Sequence, residues 1–305
     1  MLTMGTSIRS NDQSSTVSKL QTLDANLERF SADANAYYDA VRDKAKVEQY
    51  YARLNRNEPD GKVLFKALTQ LLEETHTKKV PYHHNDENKE SGTYLKTSVD
   101  LHDDGLLRSI YSGKEAEPHK VIEEDAAMVV AAGGVSSTGH ILNVEHVVPQ
   151  SWFNEVEPMR GDLHHLFYCE EKCNSFRGNK RYVDFADYNP DEFRTDTVRG
   201  ECGKGVGGDG ALDGEFEPEY AKGVVARAML YFILRYPKGI ESKHVKKQDI
   251  NVLLKWHKDF PPNLKYEKHR NQEIFAIQGN RNPFIDLPEL ADRIDFSVYK
   301  PSHNN

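Results

Sequence analysis

The stretch from Asn143 to Asn179 reads NVEHVVPQSWF, then RGDLHHLFYC, then CNSFRGN. Glu145 offers a hard oxygen ligand, His146 a base that titrates near neutrality, and Asn174 a neutral oxygen ligand. Arg160, Arg177 and Lys180 add positive charge suited to a phosphate. Breaking a phosphodiester needs an activated water, relief of charge on the phosphoryl oxygens, and a protonated or cation-bound leaving oxygen. One imidazole and one hard divalent cation can supply all three. Magnesium suits a site of one carboxylate and one amide, because it keeps several of its waters. Alone, the dipeptide Glu145-His146 reads as a solvated charge beside a packed histidine. Followed by DLHHL and NSFRGN, it points to the chemistry of a metal-dependent nuclease.

These groups need elements to hold them. His140 to Val148 alternates well enough for a strand, Asp162 to Phe167 reads as its partner, and Glu170 to Arg177 reads as a helix after it. The unit is then β-loop-β-α, with Glu145 and His146 at the end of the first strand and Asn174 on the helix. Neighbours on a strand point to opposite faces, so the two share one cleft only where a frayed end opens the pleat.

The flanks are helical in pattern. Residues 1–15 are polar and Ser-rich and read as a disordered tail. From Val17, the positions Leu20, Leu23, Leu27 and Phe30 recur at helical spacing, and Tyr37, Val41, Val47, Tyr50 and Leu54 continue it. One long helix or two, over an N-terminal extension of residues 16–58, is expected to end before Pro59. Val63 to Thr75 places Leu64, Leu68, Leu71 and Leu72 on one helix face. His83 to Gly92 reads as an exposed loop, and Ser98 to Leu101 and Leu106 to Tyr111 as short strands around Asp103-Asp104-Gly105. Ala126 to Ala132 is an apolar segment closing on Gly133-Gly134. Val224 to Tyr236 is nearly all apolar, stops at Pro237, and reads as the central buried helix; Ile250 to His257 and Tyr266 to Ile277 add two more. Cys202 to Gly214 is a Gly-rich loop without the G-K-[ST] ending of a phosphate-cradling loop. The expected class is α+β, mostly helical, with residues 296–305 as a C-terminal tail.

Composition sets outer limits. A chain of 305 residues can bury one large core or two modest ones. A net charge of −8 argues against tight, processive binding of a polyanion, although nucleic acid meets a local patch rather than the average. No apolar run approaches the ~20 residues that span a bilayer, so no membrane partner is expected. The first residues lack the apolar core of a secretory signal, which leaves a protein kept inside the cell, one exported by another route, or a trimmed mature form. Three cysteines allow one disulfide at most. Oligomeric state is not set by anything in the sequence.

The chain resembles the endonuclease I family of bacterial secreted and periplasmic nucleases, which carry a ββα-metal (His-Me finger) site. The resemblance rests on EHVVPQSWF, MRGDLHHL and CNSFRGN, with support from RSIYSG at Arg108 to Gly113 and from RNQEIFAIQGNRNPFID at Arg270 to Asp286. It implies a nuclease domain over residues 59–295 in which His146 is the general base and Glu145 and Asn174 hold Mg2+, or Mn2+ or Ca2+ in its place. It makes Arg160 the first choice for steadying the phosphate and Arg177 the second, with Asn179 an alternative ligand or phosphate contact. His164 and His165 divide between orienting Glu145 or the metal waters and packing the core. Gln278, Asn280, Arg281 and Asn282 read as a polar brace.

The expected partner is DNA, with RNA kept open. No base-reading module is present, so contacts to phosphate and sugar would give little sequence specificity. Cys169 and Cys173 would share a helix face and, with Cys202 and a histidine, could make a structural Zn2+ site; one disulfide or buried thiols is the plainer account. Two rival readings stand beside the nuclease: a nucleic-acid-binding protein with a decayed site, and a phosphodiesterase acting on small substrates.

Overall fold

Asp39, Asp60 and Asp249 each turn a side-chain oxygen back onto the first amides of the helix that follows, satisfying donors that the helix itself leaves unpaired. These helices and their neighbours make up most of the chain. The structure, a computed structural model, describes residues 4–83, 87–131, 144–186, 199–207, 214–245 and 248–299.

The N-terminal helices are α1 (Met4–Ala32), α2 (Ala34–Tyr37) and α3 (Ala40–Tyr50). Helices α4 (Gly61–Thr75) and α5 (Ser91–Tyr94) follow, the latter running into a buried π-helical turn, Leu95–Val99. Strands β1 (Leu107–Arg108) and β2 (Glu115–Ala116) pair antiparallel before α6 (Pro118–Ala131). Strand β3 (Val144–His146) pairs antiparallel with β4 (Leu166–Tyr168), and α7 (Glu171–Arg177) closes the unit. Strands β5 (Arg181–Tyr182), β6 (Arg199–Gly200), β7 (Gly203–Val206) and β8 (Glu215–Pro218) make a sheet in the order β5-β8-β7-β6. The chain ends in α8 (Lys222–Arg235), α9 (Ser242–Val245), α10 (Ile250–Asp259), α11 (Tyr266–Gln278) and α12 (Pro283–Asp286), followed by short 3-10 turns.

The α+β class, mostly helical, is as expected. Helix α8 is the axis of the main core: Val225, Met229, Leu230, Phe232 and Leu234 are buried against α4, α10 and α12. Each such side chain contributes about 1.5–3 kcal/mol when fully buried. A second cluster, with Val80, Tyr82, Val144, Leu163, Leu166 and Ile274, lies under the β3–β4 ribbon. A third, with Leu23, Leu107, Val121 and Tyr168, joins α1 to α6. The ribbon that carries Glu145 and His146 is therefore buried among three packed groups.

Several expectations are corrected. From Met4 the polar start is helical and continuous with the apolar face at Leu20 and Leu23, so the helix is carried by that packed face rather than by its weakly helical Gly, Ser, Thr and Asn residues. The expected tail from 296 is likewise folded over its first residues, with Phe296 and Tyr299 in the main core. Ser98 to Leu101 is no strand. Its residues are buried by helices packed around the π-helical turn, and Thr97 Oγ1 bonds back to the Thr93 carbonyl at 2.8 Å. The loop expected over His83 to Gly92 is shorter, since Ser91 and Gly92 are buried in α5. Gly133-Gly134, His140, and the part of the Gly-rich stretch at 208–213 lie outside the described residues; Gly203–Val206 before it is a strand.

The N-terminal helices are bonded into the rest. Arg29 pairs with Glu273 at 3.0 Å, Asp43 with Arg281 at 2.9 Å, and the Tyr51 hydroxyl donates to Asp286 at 3.1 Å.

Candidate active site

Strand β3 is short and buried on both faces, and its alternation sends its two functional residues to different surroundings. His146 packs edge-on against Tyr82 at 4.8 Å and against His165 at 5.4 Å. Its Nε2 lies 2.9 Å from the carbonyl oxygen of Arg160. A carbonyl can only accept, so Nε2 carries the proton and the basic lone pair of the neutral ring is on Nδ1.

Glu145 faces the other way. Only 3% of it is exposed, and its Oε1 accepts hydrogen bonds from the Tyr111 hydroxyl at 2.5 Å and from Arg177 Nη1 at 2.5 Å. Burial pushes the carboxyl up to about 7, against the pull of Arg177 and Tyr111 toward the ionised form. Asn174, on α7, donates Nδ2 to the Val144 carbonyl at 3.0 Å. That bond ties the helix to the strand and turns the amide by its nitrogen, so Oδ1 is the atom offered to a ligand.

Arg177 does not sit where a phosphate clamp would. It is 1% exposed, and besides Glu145 it donates to the backbone carbonyls of His146 at 2.8 Å and Val147 at 2.7 Å. The cation at the helix end is spent on the strand beside it. Lys180 is also buried, with Nζ donating to the Phe176 carbonyl at 2.7 Å as a cap on α7. Asn179 is exposed in the turn after α7.

Arg160 is the partly exposed arginine of the set. Nε donates to Gln150 Oε1 at 2.6 Å, Nη2 lies 3.3 Å from Glu155, and the guanidinium sits 4.7 Å over the face of Tyr82. These contacts fix the plane of the fork.

His164 and His165 are both buried. His165 Nε2 lies 2.6 Å from the Met159 carbonyl, and burial pushes its ring down to about 4; the same cause takes His164 to about 3. His165 packs against His146, whereas His164 packs against Tyr231 at 4.4 Å. Between them Asp162 accepts from Gln278, Tyr231 and Tyr236 and from the His164 amide. Burial alone would raise this carboxyl, but His76, His164, His165 and Gln278 outweigh it and hold it below the usual range. The polar brace is Gln278, which also accepts from the Leu163 amide at 2.8 Å, with Asn280 on Tyr231, Arg281 on Asp286 and Asn282 capping α12. Arg270 joins it by donating to Asp100 and to the carbonyls of Leu163 and Leu166.

The structural zinc reading is overturned. Cys173 and Cys202 form a disulfide, tying α7 to the β6–β7 hairpin, and Cys169 is a buried thiol before the helix. A disulfide leaves no thiolate for a metal. Among the described residues no group of three or more His, Cys, Asp and Glu side chains is placed to hold a metal ion. A magnesium-type site takes few protein oxygens and keeps its waters, and the Glu145 carboxylate and the Oδ1 of Asn174 are oxygens of the kind it uses.

Residues that sequence reasoning passed over are Tyr82, Tyr111, Gln150 and Tyr182. Tyr111 lies in RSIYSG, so the motif was visible while its contact was not.

A family model described as Endonuclease I matches residues 64–289. The chain is 31% identical over 275 residues to an extracellular ribonuclease of Bacillus amyloliquefaciens, covering 80% of this chain and 88% of that protein. It is 34% identical over 172 residues to an extracellular ribonuclease of Bacillus subtilis (strain 168), covering 50% of this chain and 53% of that one. An extracellular deoxyribonuclease of Aeromonas hydrophila is 29% identical over 162 residues, covering 47% and 64%.

Proposed function

This chain belongs to the endonuclease I family, and we propose that it cuts DNA and RNA strands with His146 as general base and one divalent cation held by Glu145 and Asn174. The observation that carries the reading is the β3–β4–α7 unit. On it the His146 Nε2 proton is committed to the Arg160 carbonyl, and Asn174 is bonded to the backbone of Val144, next to Glu145 in the chain.

His146 Nδ1 takes a proton from water, and the water oxygen attacks phosphorus as the bond to the leaving oxygen breaks. Arg160 lies across the backbone bond from that imidazole and steadies the phosphate through its fork. A divalent cation, held by Glu145 and Asn174, would supply positive charge to offset the negative charge developing on the phosphate. Water, not a 2′-hydroxyl, is the nucleophile, so the sugar need not discriminate. The names of the relatives, ribonuclease and deoxyribonuclease, fit that tolerance. Contacts confined to phosphate give little sequence preference.

The relatives are named extracellular or periplasmic, and the Cys173–Cys202 disulfide suits an oxidising compartment of that kind. No described helix is long and apolar enough to cross a membrane.

Supercoiled plasmid and an end-labelled RNA, incubated with Mg2+, Mn2+ or Ca2+ and with excess EDTA, test the reading. Nicking of both substrates that EDTA abolishes is expected. Undiminished cleavage in EDTA would remove the metal. Turnover of a small phosphodiester with no plasmid nicking would transfer the site to small substrates, and binding without hydrolysis would mark it as decayed.

A further inference from the structure

Tyr111 and Tyr182 are both fully buried and meet hydroxyl to hydroxyl at 2.6 Å behind Glu145. One precedes the β3–β4–α7 unit in sequence and the other follows it. A phenol has one proton, and a carboxylate can only accept, so the proton of Tyr111 goes to Glu145 Oε1 at 2.5 Å. The one proton of Tyr182 has two acceptors in reach, the Tyr111 oxygen at 2.6 Å and the Val147 carbonyl at 3.2 Å, and the shorter contact takes it. From the other side Arg177 Nη1 reaches the same Oε1, and its guanidinium lies 4.7 Å over the Tyr182 ring. Oε1 is thereby held from two directions by groups that are themselves held.

We propose that Tyr111, backed by Tyr182, is a positioning residue that sets the plane of the Glu145 carboxylate for the divalent cation. The inference rests on the assignment of Glu145 as a metal ligand. With Oε1 anchored by both donors, rotation of the carboxylate is opposed, and a cation meets it in one rotamer. Hydrogen-bond partners behind a ligand act in this way on metal affinity, and their loss costs ~10–100-fold in affinity or activity. A packing role alone would be met by the rings: Tyr111 lies 4.9 Å from Phe216, and Tyr182 lies 6.3 Å from it. Phenylalanine keeps the ring and deletes only the hydroxyl.

The test compares the parent with Tyr111→Phe, Tyr182→Phe and Glu145→Gln. Mn2+ binding is measured by titration calorimetry without nucleic acid, cleavage is measured against Mg2+ concentration, and melting is measured in EDTA. Tyr111→Phe is expected to weaken Mn2+ binding by ~10-fold or more and to raise the Mg2+ requirement by the same factor. Its kcat at saturating Mg2+ should stay near the parent's. Tyr182→Phe should shift both in the same direction by less. Parent-like Mn2+ affinity in Tyr111→Phe, whatever its melting temperature, overturns the proposal. If Tyr111→Phe does not fold, Tyr182→Phe decides, and unchanged Mn2+ affinity there overturns it equally. A parent that binds no Mn2+, or a Glu145→Gln variant that binds it as well as the parent, instead brings down the ligand assignment itself, and the tyrosine proposal with it.

Discussion

One hydrogen bond joins His146 to Arg160, from the imidazole Nε2 to the backbone oxygen of the arginine at 2.9 Å. The residue that orients the base is thus the residue whose side chain offers positive charge. A shift of this turn would move both groups at once. His146→Ala is expected to lower turnover by ~10²–10⁴, the usual worth of a positioned acid–base group. Nucleic-acid affinity should survive, because it is mostly phosphate electrostatics. Single-turnover rates beside a filter-binding assay check both halves, and near-parent turnover would remove His146 from the mechanism.

Arg160→Lys separates charge from geometry. Gln150 Oε1 at 2.6 Å and the Tyr82 face fix a planar fork that an ammonium cannot replace. Substrate affinity is expected to stay near the parent's while kcat falls by ~10-fold or more, since aligned charge matters most in the transition state. Equal kcat in the lysine variant would leave Arg160 a surface residue.

Glu145, Asn174 and Arg177 should behave differently when cut. If Asn174 is an oxygen ligand as proposed, Asn174→Ala should raise the Mg2+ concentration for half-maximal activity, and loss of its bond to the Val144 carbonyl should lower stability by about 1 kcal/mol. Glu145→Ala leaves Arg177 buried without its carboxylate, and breaking such a pair costs ~3–5 kcal/mol. Arg177→Met is expected to lower the melting temperature and leave the KM of the folded fraction unchanged. A raised KM at parent-like stability would return Arg177 to phosphate binding.

Acid should destabilise the fold. Burial pushes His164 down to about 3 and His165 to about 4, and lowers His76 as well. In the unfolded chain these rings titrate near 6.5. Their native pKa values are depressed, so below ~6.5 the unfolded chain binds protons that the native state refuses, and each ring costs ~1.4 kcal/mol per pH unit. Glu145 works the other way: raised to about 7, it takes up a proton in the native state first and offsets one histidine. Asp162, held low, adds its loss only below the ordinary carboxylate range. Melting temperature should therefore fall steadily from pH 6.5 to 4.5, and His165→Phe should flatten the curve. A level profile would contradict the burial of these rings.

The β3–β4–α7 unit was legible from local signals, strand alternation around Glu145 and the helix around Asn174, but the second strand expected over Asp162 to Phe167 is a 3-10 turn at Leu163–His165 and becomes a strand only from Leu166. Arg160 could be chosen before Arg177 but not separated from it. Arg177 reads from the sequence as a second phosphate contact, and only its bonds to Glu145 and to the carbonyls of His146 and Val147 show that it faces inward. The cysteines were open for the same reason. Cys169 and Cys173 are close in sequence, whereas the bond goes to Cys202 on the hairpin, and spacing alone favours the nearer pair. Ser98 to Leu101 has β-branched and apolar residues that suggest a strand, yet packing by helices on several sides holds the segment in a π-helical turn. Tyr111 and Tyr182 carry no local mark of their role, because their partner is a carboxylate remote in sequence.

The bonds between the two ends of the chain also bear on the order in which the molecule can be made. Arg29 meets Glu273, Tyr37 stacks on His269 at 3.9 Å, Asp43 meets Arg281 and Tyr51 meets Asp286. When α3 leaves the ribosome, none of these partners has been synthesised. Short helices are marginal in water without a surface to pack on. The contacts of α3 with the C-terminal helices thus form after the site-bearing strands and α8 have already been translated. Helix α1 can meet α6 earlier, through Leu23 and Val121, but the contacts of Asp43 with Arg281 and of Tyr51 with Asp286 close only once translation has passed Asp286.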